Sequence, residues 1–430
     1  MTELIKKFSY SARWNAFESI FYKAILTIHQ TCLFYFSNKL IYGLSSFIFA
    51  IIYLSVELIN LGFDRSIAQF SQIYFHNPQF FKRYFLPQVI FQLALLITLS
   101  LFAFQFDWLN LILQTTHAQL HWQQTLLILV IIVCEALRKT FRTVAQLLFL
   151  NKASAYLELS LITIYTSLFW LSIWFGYQVN IYTIYFPLLI QSLIGLIGLL
   201  CLIATKLRLN FALHEQKLLE QPKPSLSFKQ IYYYRTQNYL YQISEMPFSS
   251  NFLIYFLSTI IGLVNIGPVK LANYFAVFIK ALLDKTFGLT SLALFAKNKG
   301  VVESQKTIFA HAQSKLNAIL ICLILIFSAC SLIVNATNST ATTSYLAILF
   351  LIFALINNFF IVYEQLFLVY NKIITLFLLN LACMLVLVYL YITQPGLLTA
   401  LNIVNVITIL ALLRALSLFL AKLKAKNIFT

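Results

Sequence analysis

Lysine and arginine occur in this chain almost only in every second gap between long apolar runs. Twelve runs can be read, at 15–36, 40–61, 86–106, 122–146, 154–176, 181–203, 238–261, 268–295, 316–335, 344–369, 373–393 and 398–421. Each is close to the roughly 20 residues that a bilayer-spanning helix needs. Counted by side, 25 of the 30 basic residues fall at the two ends of the chain, in alternate gaps, or in the run ends that adjoin them (Arg138, Lys139, Arg142 and Arg414). The opposite gaps hold only Lys39 and, at a border, Lys270, while Lys23, Lys280 and Lys285 lie inside runs. Basic loops stay on the cytoplasmic side. The pattern therefore predicts an all-α polytopic membrane protein with twelve transmembrane helices and both termini in the cytoplasm. The gaps on the other side are short, the longest being 107–121.

Composition agrees. Of the 430 residues, 61% are hydrophobic and only 10% charged, against about a quarter charged in soluble domains. No soluble fold hides that much apolar surface. The net charge of +17 is spread over short loops, which fits attraction to anionic inner-leaflet lipid and excludes a nucleic-acid-binding face. The six cysteines lie in or beside apolar runs without CxxC spacing, and read as small hydrophobic residues. The first run is interrupted by charge and lacks a small-residue cleavage site, so a retained first span is expected rather than a signal peptide.

The longest hydrophilic stretch, 204–237, contains Pro222 and Pro224 and divides the chain six spans from six. The expected organisation is an N-terminal lobe at 1–205, a basic linker at 206–237 and a C-terminal lobe at 238–430. Weak similarity links the ends of spans 4 and 10, Gln146-Leu-Leu-Phe-Leu-Asn-Lys152 and Gln365-Leu-Phe-Leu-Val-Tyr-Asn-Lys372. A repeat of six spans preserves orientation, so the lobes would be related by a pseudo-two-fold along the membrane normal.

Four spans in repeat-related positions carry polar stripes at helical spacing. Span 1 has Asn15, Glu18, Ser19, Tyr22, Lys23, Thr27 and Gln30; span 2 has Tyr42, Ser45, Ser46, Tyr53 and Glu57. Span 7 has Asn238, Tyr241, Gln242, Glu245 and Ser249; span 8 has Lys270, Asn273, Lys280 and Asp284. Such groups are costly against lipid, at about 2.5–3.5 kcal/mol per charge near mid-membrane on insertion scales. They are expected to line a shared cavity. Lys23 has no acidic residue one turn further on and is the leading substrate contact. Lys280 and Asp284 are spaced for an i,i+4 pair, as Glu135 is for one with Arg138. Glu57, Glu158, Glu364 and Lys285 lie near the cytoplasmic interface and are expected to snorkel. His29 is either a pore-lining hydrogen-bonding group or a proton-coupling one. His117 and His121 lack a third ligand, so no metal site is expected. No nucleophile, phosphate-loop or zinc signature occurs, and neither an enzyme nor a cofactor is expected.

Tyr42-Gly-Leu-Ser-Ser-Phe together with Asn60-Leu-Gly-Phe-Asp-Arg-Ser-Ile-Ala-Gln-Phe70 resembles the second-helix region of bacterial polysaccharide flippases. These belong to the multidrug/oligosaccharidyl-lipid/polysaccharide exporter superfamily. Ala272 to Lys280 and Ala293 to Lys297 resemble the eighth-helix counterpart, with Asn273 where glycine is common and Ala296 where proline is common. The resemblance implies two six-helix lobes around a cationic cavity lined by helices 1, 2, 7 and 8. It also implies an inner-membrane carrier that flips an undecaprenyl-diphosphate-linked oligosaccharide of O-antigen type to the periplasmic leaflet. Glycan polymerase or glycosyltransferase partners and a monomeric state would be expected. Lys23, Lys270 and Lys280 would meet the diphosphate, as point charges without arginine's fork. Tyr22, Gln30, Asn238, Tyr241, Gln242 and Asn273 would meet sugar. Ion coupling would fall to Glu245, Asp284, Glu57 or His29. Two alternatives stand beside this. One is a drug/cation antiporter of the same superfamily, centred on Glu18, Glu57, Glu245 and Asp284. The other is a membrane glycan polymerase or ligase, which the short outer loops disfavour.

Overall fold

The computed structural model of the chain describes residues 2–76, 78–114, 118–215, 227–298, 301–337, 341–370, 373–393 and 403–425, and no strand occurs among them. The helices, in order, are α1 (Thr2–Phe36), α2 (Lys39–Ile59), α3 (Phe63–His76), α4 (Pro78–Gln105), α5 (Trp108–Leu113), α6 (Trp122–Leu147), α7 (Asn151–Trp174) and α8 (Ile181–Glu215). They continue with α9 (Phe228–Glu245), α10 (Ser250–Ile261), α11 (Ile266–Lys297), α12 (Val302–Thr337), α13 (Ala341–Asn358), α14 (Ile361–Val369), α15 (Ile373–Thr393) and α16 (Ile403–Ala425). Each of the twelve apolar runs coincides with described helix over most of its length. Six of the described helical stretches are long and apolar enough to cross a bilayer by themselves, among them Lys39–Ile59, Ile181–Ala212 and Ile266–Lys297. The chain is a multi-pass membrane protein.

Local chemistry explains where the spans bend. Pro247 cannot continue a helix, so span 7 breaks after Glu245 into a 3₁₀ turn, Met246–Phe248. Ser249 then restarts it as the N-cap of α10, its hydroxyl accepting from the Phe252 amide at 3.2 Å. In α4 and α11 the ladder widens into π turns at Phe81–Phe85 and Asp284–Leu289. The expected linker is shorter than its polarity implies, because α8 runs through Glu215 and α9 starts at Phe228.

The structure resolves into two compact units, one of 1–51 with 244–430 and the other of 52–243. The cuts fall inside α2 and near the end of α9, so they differ from the division at 205 and 238. Helix α1 belongs to the unit holding the C-terminal spans because its polar face is satisfied there. Asn15 donates to the Lys285 carbonyl at 3.0 Å and to the Thr290 hydroxyl at 2.9 Å, and Ser19 to the Ala281 carbonyl at 3.3 Å. In the same unit, Gly43 lets α2 approach the 262–265 turn. A Cβ at position 43 would stand 1.8 Å from the Leu263 carbonyl oxygen, a backbone atom. Gly43→Ala is therefore expected to lower stability by about 1–3 kcal/mol, the usual cost of overpacking, read as a drop in the unfolding midpoint in detergent.

The 52–243 unit is held by a buried ionic network joining α6, α7 and α8. Arg138 binds Glu135 at 2.6 Å and also Glu158, whose side chain is fully buried, while Arg142 lies 3.9 Å from Glu158. Ser192 on α8 donates to Glu135 at 2.5 Å. The Glu135–Arg138 pair thus forms as its spacing implied. Glu158 does not snorkel, because two guanidinium groups draw it inward. Gly195 makes room for this arginine: a Cβ there would come within 2.9 Å of Arg138 Nε.

Candidate functional site

In the unit of 1–51 and 244–430, α1 and α11 run antiparallel in a register fixed along their length. Asn15 and Ser19 bond to positions 285 and 281, and a Cβ on Gly267 would meet the Phe34 ring at 3.1 Å and the Tyr42 ring at 3.4 Å. Stepping along this register brings Gln30 level with Lys270, Thr27 level with Asn273 and Lys23 level with Val277. Two polar stripes recognised separately in the sequence therefore form one seam. Gln30, Lys270 and Asn273 are buried along it, and His29, next to Gln30 on α1, is buried as well. Tyr22, Lys23, Lys280 and Asp284 are half-buried.

The charges along the seam divide into neutralised and un-neutralised groups. Glu18, 1% exposed, pairs with Lys285 at 2.7 Å. The expectation that Lys285 snorkels is corrected by that pair: burying Glu18 without a cation would cost far more than bending one lysine inward. Lys280 makes no ion pair with Asp284, contrary to the reading of their spacing. The Asp284 amide still bonds the Lys280 carbonyl as in a regular α-turn, and the π turn opens only beyond it, so the spacing allows the pair without imposing it. Lys270 is 7% exposed, and its ammonium lies 5.3 Å from the centroid of the Tyr274 ring. Neither Lys270 nor Lys280 has a carboxylate partner among the described residues. The Oδ1 of Asn273 and the hydroxyl of Tyr42 are buried without hydrogen-bond partners among the described residues. Lys23 lies over the adjacent Tyr22 ring at 5.8 Å.

Glu245 sits at the break in span 7 and is already bound. Arg414 of α16 reaches its Oε1 at 2.6 Å, reaches Asn380 Oδ1 on α15 at 2.8 Å, and stacks over Phe248 at 5.5 Å. Asn380 in turn donates to the Ser244 hydroxyl at 3.1 Å. Sequence reasoning missed this cluster by assigning Arg414 to the cytoplasmic flank. The available signal was its position seven residues inside the run ending at 421.

The remaining candidates belong to the other unit, 52–243. Asn238 and Tyr241 are fully buried and Gln242 nearly so. Gln242 donates to the Glu57 carboxylate and, at 3.0 Å, to the Glu57 carbonyl. Glu57 also pairs with Lys139 at 2.6 Å, its side chain 37% exposed, so it is clasped rather than snorkelling. Asn238 donates to the Tyr234 carbonyl at 2.8 Å. Gly62, with φ +71°, permits the close approach of α9: a Cβ there would lie 2.7 Å from the Tyr239 backbone nitrogen. His117 lies outside the described residues and His121 serves as the cap of α6 with Gln124. No group of three metal-ligating side chains occurs among the described residues. Lys372 and Asn338 also lie outside the described residues.

No protein-family profile matches the chain, and no curated protein matches it in sequence. Solved structures do match over its whole length. The Vibrio cholerae MATE transporter VcmN is 11% identical, with 99% of this chain and 97% of that one covered and a TM-score of 0.70. The eukaryotic MATE transporter AtDTX14 is 13% identical, with 100% and 99% covered and a TM-score of 0.64. An inward-facing multidrug resistance MATE family transporter of the MOP superfamily is 11% identical, with 97% and 94% covered and a TM-score of 0.58. The chain therefore has the MATE fold. None of these structures is described as a polysaccharide flippase.

Proposed function

We propose that this chain is a secondary transporter of the MATE type, which exports an amphiphilic solute by alternating access. The observation that carries this reading is the match of the entire chain to MATE transporters, end to end on both sides. Of the solute classes weighed from the sequence, these neighbours favour the small-molecule exporter, since one of them is described as a multidrug resistance transporter. Polar seams buried within a helical membrane protein are what a solute pathway requires.

One observation favours a second reading, in which the solute is an anionic lipid-linked glycan. Glu18, Glu57 and Glu245, three of the four carboxylates a cation site would use, each hold a lysine or arginine already. Lys270 and Lys280 are the seam's un-neutralised ammonium groups, and a diphosphate is the natural partner for such groups at low dielectric. In both readings the protein sits in the bacterial inner membrane with its basic loops and both termini facing the cytoplasm.

The test is transport by the purified full chain in proteoliposomes, with two probes run in parallel. One is a cationic dye and the other a fluorescent prenyl-diphosphate glycolipid. Movement of the dye, lost in Asp284→Asn, supports the small-molecule exporter. Movement of the glycolipid, lost in Lys270→Ala with Lys280→Ala, supports the flippase.

A further inference from the structure

The 52–243 unit carries a second cationic feature that the solute seam does not use. In α4 the π turn Phe81–Phe85 directs Tyr84 and Phe85 inward, to 6% and 3% exposure, and leaves Lys82 and Arg83 exposed. Ring contacts fasten this turn to two other elements. Phe81 meets Phe211 near the end of α8 at 5.8 Å, and Tyr84 meets Phe228 at the start of α9 at 4.8 Å. These contacts gather five basic residues from three helix ends: Lys82 and Arg83, Lys206 and Arg208 of α8, and Lys229 of α9. Four of them are exposed and Lys206 is half-exposed. None makes an ion pair among the described residues, and the segments 78–90, 203–212 and 227–237 contain no aspartate or glutamate. Exposed rings stand beside the charges: Phe228 at 41%, Tyr232 at 44% and Tyr233 at 62%.

We propose that this face is a docking site for the headgroups of anionic phospholipids in the adjoining leaflet. The chemistry matches on both counts. Un-neutralised lysine and arginine attract phosphate within a Debye length, and aromatic rings with polar edges settle at headgroup depth. A π turn is the device that holds Lys82 and Arg83 outward while the rest of that turn is locked into the aromatic cluster. An acidic protein would need no adjacent rings at membrane depth, and a free phosphate would need a closed pocket rather than three exposed helix ends. The site is independent of which solute the seam carries.

Native mass spectrometry of the full chain in detergent, titrated with phosphatidylglycerol or phosphatidylcholine, tests this. Phosphatidylglycerol is expected to bind at least tenfold more tightly. That preference should fall about tenfold in the Lys82→Gln, Arg83→Gln, Lys229→Gln triple variant and should weaken at 0.5 M salt, about a 4 Å Debye length. Because the salt measurement uses the unaltered chain, it decides the matter even if the triple variant does not fold. Equal affinity for the two lipids, a preference indifferent to salt, or displacement of phosphatidylglycerol by millimolar inorganic phosphate or polyglutamate would each overturn the proposal.

Discussion

Arg414→Leu is expected to yield a chain that inserts but does not hold its fold. The substitution removes the group that satisfies Glu245 and Asn380 together, 2.6 and 2.8 Å away, in a setting where Arg414 itself is 5% exposed. Breaking a buried pair by removing one partner costs about 3–5 kcal/mol, because the other charge is left stranded. The location makes the loss worse. Glu245 ends α9 at the Pro247 break, so Arg414 of α16 ties the interrupted span 7 to α15 and α16. Thermal unfolding in detergent should show a large fall in midpoint for Arg414→Leu. The double variant Arg414→Leu with Glu245→Gln should recover part of it, since no bare carboxylate remains. An unchanged midpoint in the single variant would mean that the pair is not part of the fold's support.

Lys270→Leu is expected to do the opposite to stability. Lys270 has no carboxylate to abandon, and its burial is a standing cost. Insertion scales separate lysine from leucine by about 3 kcal/mol at mid-membrane; four residues in from the start of α11, a gain of about 1–3 kcal/mol is expected. Transport should respond by the sign of the solute. Carriage of an anion would fall at least tenfold, while carriage of a cation would stay the same or rise. A lysine that serves only the fold would give the reverse pattern, with lower stability and unchanged flux for both probes.

These two positions show what was legible in the sequence. The spans were legible because bilayer thickness and the cost of exposed backbone polar groups act on composition alone. The break at Pro247 was legible for the same local reason, although span 7 was read as continuous. The polar stripes of spans 1 and 8 were legible as stripes, and the α1–α11 seam joins them. The ion pairs were not legible, apart from Glu135–Arg138 within one helix. Glu18 and Lys285 are 267 residues apart, and nothing in either neighbourhood names the other. Lys280 and Asp284 misled because i,i+4 spacing brings two side chains within reach but does not make them pair. The grouping of α1 with the C-terminal spans in one compact unit rests on the Asn15 and Ser19 bonds to distant segments, which no local pattern announces.

The most direct measurement is solute flux itself: counterflow into liposomes containing the purified chain, compared with liposomes lacking protein, using the cationic dye and the glycolipid side by side. A MATE-type exporter with its pathway along the α1–α11 seam predicts saturable flux of one of the two, abolished when bulky side chains are placed at Thr27 and Asn273. Flux indistinguishable from protein-free liposomes for both probes, or flux that survives the blocked seam, would contradict it.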